Sequence, residues 1–562
     1  MSGIQLFIRN PVRSFPQNAA ITPMIKDRAT LLQKAIISLV IAVLTFAKQI
    51  GFFLKEENRY YFLWHKSDSV ALALDILLLG ALVFGGSVAL RSLKWDRANR
   101  IYNHVFLLVL ISGLLTLVPP AVLPHFEQSP MLTVFWWCVW VGVVGICAVS
   151  FFVPKLQLVR YAGNVCMVLS PLVPMLLYQL LVMKPWSTRE ESDPSFRPAI
   201  PNSAPAAGTK TPVFVFVWDE WSYVRTFHDR QILAEFPNLR RFSEQAFNFH
   251  QAWSFSSRTL HSLPALVYQF DQRIEIGPGQ PLWEVDGKQV GTTNLPSIFK
   301  PGKAHGYFTA MQGFYLPYRK MLGDQVDYCR SFAVFPRAEG LAENMWMAVV
   351  RNIQWVTEPV TQHARRRLEA RFISERWFNI NNWLRDDALR LIDESPRNTI
   401  AFFHWPLPHG PFVFNTDGSY HGQYPEGNIL AGLRGTAEDY HRHQLYQDKV
   451  VGQVIDRLKK AGKYDDALII FTADHSWRRE PDEKIKNWKI DLPVRRAVLM
   501  VKFPGQTNAH HIDKIVYNHL ALGPLVERAL RGPIDDNAAA ETIQQLEDLP
   551  IPTGINSVRP RK

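Results

Sequence analysis

The sequence predicts two modules of different class: a multi-pass α-helical membrane domain of five spans, then an α/β domain with a mostly parallel central sheet. Three observations predict it. Long apolar runs broken by short basic loops fill the chain up to Lys184. A stretch rich in Pro, Ser and Ala follows. Beyond it, short apolar strands alternate with amphipathic helices, as in a sheet covered by helices on both faces. With 562 residues, 47% of them hydrophobic, the chain is too long for one ordinary domain and too apolar for disorder. A wholly soluble protein is excluded. So is a disulfide scaffold: of four cysteines, Cys138, Cys147 and Cys166 lie in apolar runs and only Cys329 in the polar half.

Five stretches reach the roughly 20 residues that a helix needs to cross a bilayer: 35–54, 68–90, 104–123, 131–153 and 163–183. The basic lead (Arg9, Arg13, Lys26, Arg28, Lys34) is too long for a cleaved signal, and no small-residue cleavage site follows the first span. The second loop carries Arg91, Lys94, Arg97 and Arg100, and the fourth Lys155 and Arg160, whereas Pro119 to Pro130 has no lysine or arginine. The positive-inside rule then puts the N-terminus in the cytoplasm and everything after Lys184 outside. Lys55, Arg59 and Lys66, partly offset by Glu56 and Glu57, run against that rule in the first hairpin. Lys48 snorkels to the interface. Asp75 is either a polar partner inside the bundle or part of a headgroup site. The net charge of +12 sits largely in these loops, and no zinc finger, RNP motif or basic-aromatic platform accompanies it, which argues against nucleic acid.

After the exposed linker, residues 212–218 read as a buried strand ending in Asp219 and Glu220. Residues 236–248 put Leu239, Phe242 and Ala246 on one helical face. Strands follow at 398–404, 467–473 and 496–503, with a long amphipathic helix over 438–461 stopped by Gly462. The helical insertion at 340–395 sets Arg351, Arg365, Arg366, Arg367, Arg371 and Arg376 among Trp346, Trp355 and Trp377. It is a solvated basic face or a surface for anionic headgroups. The expected organisation is a cytoplasmic lead over 1–34, the membrane domain over 35–184, a linker over 185–211, a catalytic domain over 212–540 and a tail over 541–562.

In an open α/β sheet the working groups gather at the carboxyl ends of the strands. Three strands here end in metal-ligand or acid–base types: Asp219-Glu220, His404 and Asp474-His475. SFSSRTLHSLPALVYQ supplies a nucleophile candidate, Thr259, after Ser256, Ser257 and Arg258, where it opens an apolar helix. A hydroxyl at a helix N-terminus sits where backbone N–H groups hold a phosphate, and a divalent metal would activate it. Each residue has a plainer reading: Asp219-Glu220 as a helix cap, Thr259 as an N-cap, Asp474-His475 as a turn. His404 is a core histidine or a ligand, and Arg258 a phosphate contact or a structural ion pair.

The ordered pieces VFVFVWDE, FPNLRRFSEQAFNFHQAWSFSSRTLHSLPAL, LPSIFKPGKAHGYFTAMQGF, FFHWPLPHGPF and YQDKVVGQVIDRLKKAGKYDDALIIFTADHS resemble the alkaline phosphatase superfamily in its sulfatase-like branch, over about residues 212–505. Within the branch, RTLHSLP is similar to the nucleophile segment of membrane phosphoethanolamine transferases. The resemblance implies Thr259 as nucleophile, with Ser262 and Pro264 in register, and His409 of LPHGP at the substrate phosphate or leaving group. It implies Asp474, His475, Thr259 and one of Asp219 and Glu220 as ligands of a divalent metal, Zn²⁺ or Mn²⁺, with Arg258, His404 and His409 toward substrate. Five spans before an outer catalytic domain also resemble lipoteichoic acid synthases. Sulfatases need a C/S-x-P-x-R pattern, absent here. The second-metal histidine of the transferases is also missing: Asn487 and Trp488 stand in its place.

The resemblance therefore implies an inner-membrane enzyme with an extracytoplasmic, periplasmic catalytic domain. It would move a phosphoethanolamine or phosphoglycerol headgroup from a membrane phospholipid to a cell-envelope glycan or glycolipid through a threonine-linked intermediate. The alternatives are a phosphodiesterase, phosphatase or sulfatase-like hydrolase, and a non-catalytic glycan-binding accessory protein.

Overall fold

A computed structural model describes residues 21–54, 66–116, 130–153, 157–182, 198–200, 210–269, 274–277, 280–285, 288–332, 341–357, 362–421, 436–478 and 495–550. Arg9, Arg13, Lys55, Arg59, the uncharged loop at 119–129, Lys155, most of the linker, Asn487, Trp488 and the tail from 551 lie outside these residues, as does the side chain of Lys48. The chain divides into two compact units, residues 1–50 with 72–181, and residues 51–71 with 182–562.

The first region is helical: α1 (Ile21–Thr45), α2 (Ala47–Leu54), α3 (Lys66–Ser92), α4 (Asp96–Thr116), α5 (Pro130–Phe152), α6 (Leu158–Leu169) and α7 (Leu172–Val182). Among the described residues, only α3, with 27 residues and a mean hydropathy of 2.1, is long and apolar enough to cross a membrane. The pair α6 and α7, bent by 49°, makes a second if it acts as one span. Five spans are therefore not what the described helices supply. The apolar run at 35–54 breaks at Phe46, α4 opens on charged Asp96, Arg97 and Arg100, and the described apolar part of α5 is only Val141–Phe152. Close packing of α3 on α4 depends on Gly86, where a Cβ would stand 2.4 Å from the Tyr102 hydroxyl. That hydroxyl donates to Val83 O at 2.8 Å, a small-residue contact of the kind that joins helices in lipid. Asp75 is buried, and its Oδ2 has no hydrogen-bond partner among the described residues.

The second region contains β1 (Val213–Asp219), α8 (Pro237–Ser243), β2 (Phe247–Trp253), α9 (Thr259–Tyr268), β3 (Phe308–Phe314), β4 (Tyr328–Phe332), α10 (Leu341–Thr357), α11 (Gln362–Glu394), β5 (Thr399–Pro408), α12 (Ala437–Lys460), β6 (Leu468–Ala473), β7 (Leu499–Lys502), β8 (His510–Tyr517), α13 (Asn518–Leu530) and α14 (Asp536–Glu547). Eight strands form one sheet in the order β8-β2-β7-β6-β1-β5-β3-β4. All its pairings are parallel except the two that β7 makes, with β6 and β2.

Strand alternation sorts the core. On β1, Phe214, Phe216 and Trp218 face one way, against Leu384 of α11 and Val450 and Val454 of α12. Val213, Val215 and Val217 face the other, against Leu263 and Leu266 of α9 and Leu522 and Leu525 of α13. Register stacks the aromatic side across strands: Phe216 lies 4.8 Å from Phe403 and Trp218 lies 5.0 Å from Trp405, ring to ring. The result is a sheet between two helical layers, with β1 at its centre.

Two expectations shift. The helix expected over 236–248 stops at Ser243, and 247–253 is a sheet strand. Asn248 folds its side chain back onto Ser243 O and Ala246 O, which satisfies the backbone at that stop. The expected boundary at 540 falls inside α14, whose Ile543 and Leu546 are buried in the core. The 340–395 insertion consists of α10 and α11.

Asp448 of α12 ties α8 down: its carboxylate accepts from Asn238 N at 3.0 Å, Leu239 N at 2.8 Å and Asn238 Nδ2 at 2.9 Å. Asp448→Ala leaves helix-start N–H groups without an acceptor and is expected to cost about 3 kcal/mol, seen as a lowered thermal midpoint in detergent. An unchanged midpoint would show that these contacts do not hold the helix.

Candidate metal and nucleophile site

Because β1 and β6 run side by side in one direction, with Trp218 opposite Ala473, their ends deliver Asp219 and Asp474 to the same place. The bulge at Trp218/Asp219 moves the partner of Asp219 on to Pro408 of β5. His409 follows at once, and its N–H donates to Asp219 O at 3.2 Å. On the other side α9 begins at Thr259, which is buried. Ser262 shapes that approach: its hydroxyl donates to Ser256 O at 2.8 Å and accepts from Ser256 N at 3.2 Å.

These elements bring Thr259, Asp219, Asp474 and His475 together. Thr259 Oγ1 stands 3.3 Å from Asp219 Oδ1 and 3.4 Å from His475 Nε2. One oxygen or nitrogen from each of Asp219, Asp474 and His475 lies within 4.8 Å of the others, and all three residues are buried. His475 Nδ1 donates to Ser476 O at 2.8 Å, which leaves Nε2 as a lone pair turned into the cluster. Asp474 Oδ1 accepts from Glu220 N at 3.0 Å and His475 N at 2.7 Å, whereas its Oδ2 is buried with no hydrogen-bond partner among the described residues. Burial, reinforced by the charges of Asp474 and Glu220, pushes the Asp219 carboxyl well above the ordinary carboxylate range. Converging ligand atoms, a buried carboxylate oxygen without a hydrogen bond and two crowded acidic groups are what a divalent cation satisfies. The donor set fits one.

The two acidic residues at the end of β1 part company. Asp219 turns into the cluster. Glu220, with φ 64, turns its carboxylate to Arg478, whose Nε donates to Oε1. His409 Nε2 accepts from the same guanidinium at 2.8 Å, and its Nδ1 donates to Gly410 O, so the imidazole is neutral with no hydrogen on Nε2. Its ring lies 5.7 Å from that of Trp377 in the helical insertion. His404 is buried: Tyr318 OH pairs with Nδ1 at 2.7 Å, and Nε2 has no hydrogen-bond partner among the described residues. Burial lowers its pKa to about 3, against the pull of Asp474. Arg258 caps α9 and is exposed.

Sequence reasoning missed Arg478, Tyr318 and Tyr440. The hydroxyl of Tyr440 donates to Glu220 O at 2.6 Å and accepts from Ser222 N at 2.9 Å. Only Arg478 carried a local signal, as a cation three residues past His475.

The Sulfatase family model matches residues 206–526, more than half of the chain. The chain belongs to the sulfatase family. Members of this family act on sulfate and phosphate esters and generally depend on a divalent metal. This sulfatase-family chain is 24% identical over 208 residues to the uncharacterized sulfatase YdeN of Escherichia coli strain K12, and it spans 34% of that relative's length. Among solved structures it is similar to the phosphonate monoester hydrolase of Agrobacterium radiobacter, at 15% identity and a TM-score of 0.34 over 61% of this chain and 78% of that one. A protein of the alkaline phosphatase superfamily from Vibrio parahaemolyticus gives 16% and 0.34 over 62% and 76%. The PsFucS1 sulfatase from Pseudoalteromonas sp. gives 14% and 0.36 over 59% and 72%.

The geometry separates the two acidic neighbours by experiment. Asp219→Asn, Asp474→Asn and His475→Ala should each lower bound metal at least several-fold in purified protein, measured by mass spectrometry of the elements. Glu220→Gln should keep it. Metal loss in Glu220→Gln equal to that in Asp219→Asn would place both carboxylates in the ligand set.

Proposed function

We propose that this sulfatase-family chain is a membrane-anchored, metal-dependent phosphotransferase. Its donor would be a phospholipid carrying phosphoethanolamine or phosphoglycerol, and its acceptor a cell-envelope glycan or glycolipid. The observation that carries the reading is the Thr259 hydroxyl, buried at a helix N-terminus and within 3.4 Å of both Asp219 and His475. A threonine stays an alcohol, whereas the sulfatases it resembles convert a Cys or Ser to formylglycine. An alcohol in that place forms a stable ester with a phosphoryl group and can pass it on.

Asp219, Asp474 and His475, with Thr259, would hold the metal, which when bound supplies Lewis acidity and lowers the pKa of a hydroxyl beside it. Thr259 Oγ1 adds to phosphorus, its proton leaving along the hydrogen bond to Asp219. The bond from phosphorus to the diacylglycerol oxygen breaks, and that oxygen departs with a proton drawn from solvent water. In the second half an acceptor hydroxyl attacks the phosphothreonine and gives up its proton to solvent, the bond from phosphorus to Thr259 Oγ1 breaks, and Thr259 regains from Asp219 the proton it lost. His409, neutral and with its Nε2 already accepting from Arg478, is suited to orient the acceptor rather than to take its proton. The N–H groups at the start of α9 would stabilise charge on the phosphoryl oxygens, with His404 and Arg258 toward the substrate. A hydrolase uses the same residues with water as acceptor, and family membership supports it equally. An accessory protein without chemistry has no reason to keep Thr259, Asp219, Asp474 and His475 assembled.

Thr259→Ala should retain fold and membrane insertion, since one lost side-chain hydrogen bond costs about 1 kcal/mol, yet abolish headgroup release from labelled phosphatidylethanolamine and phosphatidylglycerol. Thr259→Ser should keep part of the rate. Intact-protein mass spectrometry should find an adduct of headgroup-phosphate mass on the wild type only. Near wild-type release by Thr259→Ala would refute the covalent route.

The proposed topology places the catalytic domain outside the cytoplasm. Alkaline phosphatase fused after Lys562 should be active, and a reporter that works only in the cytoplasm should be silent. The opposite pattern would overturn the orientation.

A further inference from the structure

The cleft holds a cation that the steps above leave unused. Arg478 follows His475 by three residues, and its guanidinium is held along one edge, Nε to Glu220 and Nη2 to His409 at 2.8 Å. A guanidinium carries five N–H donors. The rest have no hydrogen-bond partner among the described residues, and 44% of the side chain is exposed. One edge is anchored, beside the Asp219 cluster through Glu220 and His409, and the remaining donors belong to a part-exposed side chain.

The anchoring is more elaborate than a surface ion pair requires. Glu220 is 5% exposed and lies beside Asp219, where its charge adds to the repulsion on a carboxylate that burial already strains. Its backbone sits at φ 64, a region that a residue with a Cβ seldom occupies outside functional sites. Tyr440 holds it there by bridging Glu220 O and Ser222 N. The ring of Tyr440 also stacks on Trp477 at 4.6 Å, and Trp477 directly precedes Arg478. One tyrosine therefore fixes both halves of the Glu220–Arg478 pair. Apolar residues would fill this volume more cheaply than a buried carboxylate.

We propose that Arg478 is the anion-reading residue of the site: its free edge takes the non-bridging oxygens of the tetrahedral ester that Thr259 attacks, and Glu220 and Tyr440 are its positioning residues. The assignment rests on the ester chemistry proposed above. A fork oriented in advance suits oxygens that gain charge in the transition state, because no reorganisation is needed when the charge appears. A lysine would offer a point charge without the two parallel donors. The ligand chemistry is a tetrahedral oxyanion ester, of phosphate or of sulfate.

The test uses full-length, metal-loaded protein in detergent, with inorganic phosphate and sulfate as calorimetric probes and p-nitrophenyl phosphate, bis(p-nitrophenyl) phosphate and p-nitrophenyl sulfate as esters. Arg478→Ala should raise the Kd of the preferred anion and the KM of its ester at least tenfold, with metal content unchanged. Millimolar guanidinium should restore part of the loss. Arg478→Lys should recover little, and it serves as the folded control if the alanine variant is unstable. Glu220→Gln and Tyr440→Phe should raise KM less and gain nothing from guanidinium. Tighter binding of phosphate points to a phosphate ester, tighter binding of sulfate to a sulfate ester, and either supports the role of Arg478. Wild-type anion affinity in both Arg478 variants, or loss of metal in step with loss of affinity, overturns it. A wild-type protein that binds neither anion and cleaves none of the esters defeats the ester chemistry itself, and this assignment with it.

Discussion

Two buried carboxylates stand side by side at the ends of adjacent parallel strands, and most of the surrounding structure answers that fact. Asp219 and Asp474 are each at most 2% exposed. Like charges this close in a low-dielectric interior repel strongly unless a cation, a proton or converging donors compensate them. The protein supplies donors to one oxygen of Asp474, a hydroxyl to Asp219, and an imidazole whose lone pair faces inward. What remains is a buried set of ligand-type atoms that fits a divalent cation. The strand direction causes the problem, since a parallel pair ends on one side of the sheet, and it also explains why chemistry collects there.

The parts legible in the sequence share a feature: their signals are local. β1, β5 and β6 read as strands because they are apolar on both faces and stop at ligand-type residues. Asp219, Thr259, Asp474 and His475 stood out for the same reason. β2 was hidden because Asn248 and His250 break its pattern; both are buried, and the hydrogen bonds that permit it come from Ser243 O, Ala246 O and His511. β8 was hidden because most of its residues are exposed at the sheet edge. Tyr440 and Tyr318 lie far in sequence from the residues they touch, 220 positions in the first case and 86 in the second. No spacing rule reaches that far. In the helical region the composition of the apolar runs was plain, but hydropathy does not report where a run breaks, and Phe46 breaks the first one.

Members of the family act on esters of sulfate or phosphate, and the proposed reading takes the phosphate half because Thr259 is an alcohol. The nucleophile's identity matters more than its position. An aldehyde hydrate expels sulfate by collapsing, whereas a threonine ester must be attacked again to be cleared. In the proposed mechanism the second attacker's identity separates a hydrolase from a transferase.

The split of β1 into an aromatic and a valine face has a consequence for the metal site. Slipping the strand by one residue would exchange the two faces, putting tryptophan and phenylalanine where the α9 and α13 side is built for valine. The same slip would carry Asp219 one position along and turn it to the opposite side of the sheet. The bulky core residues thus work as a ruler that sets where the first ligand stands. Metal affinity at the candidate site would then gauge strand register, through packing several residues away from Asp219.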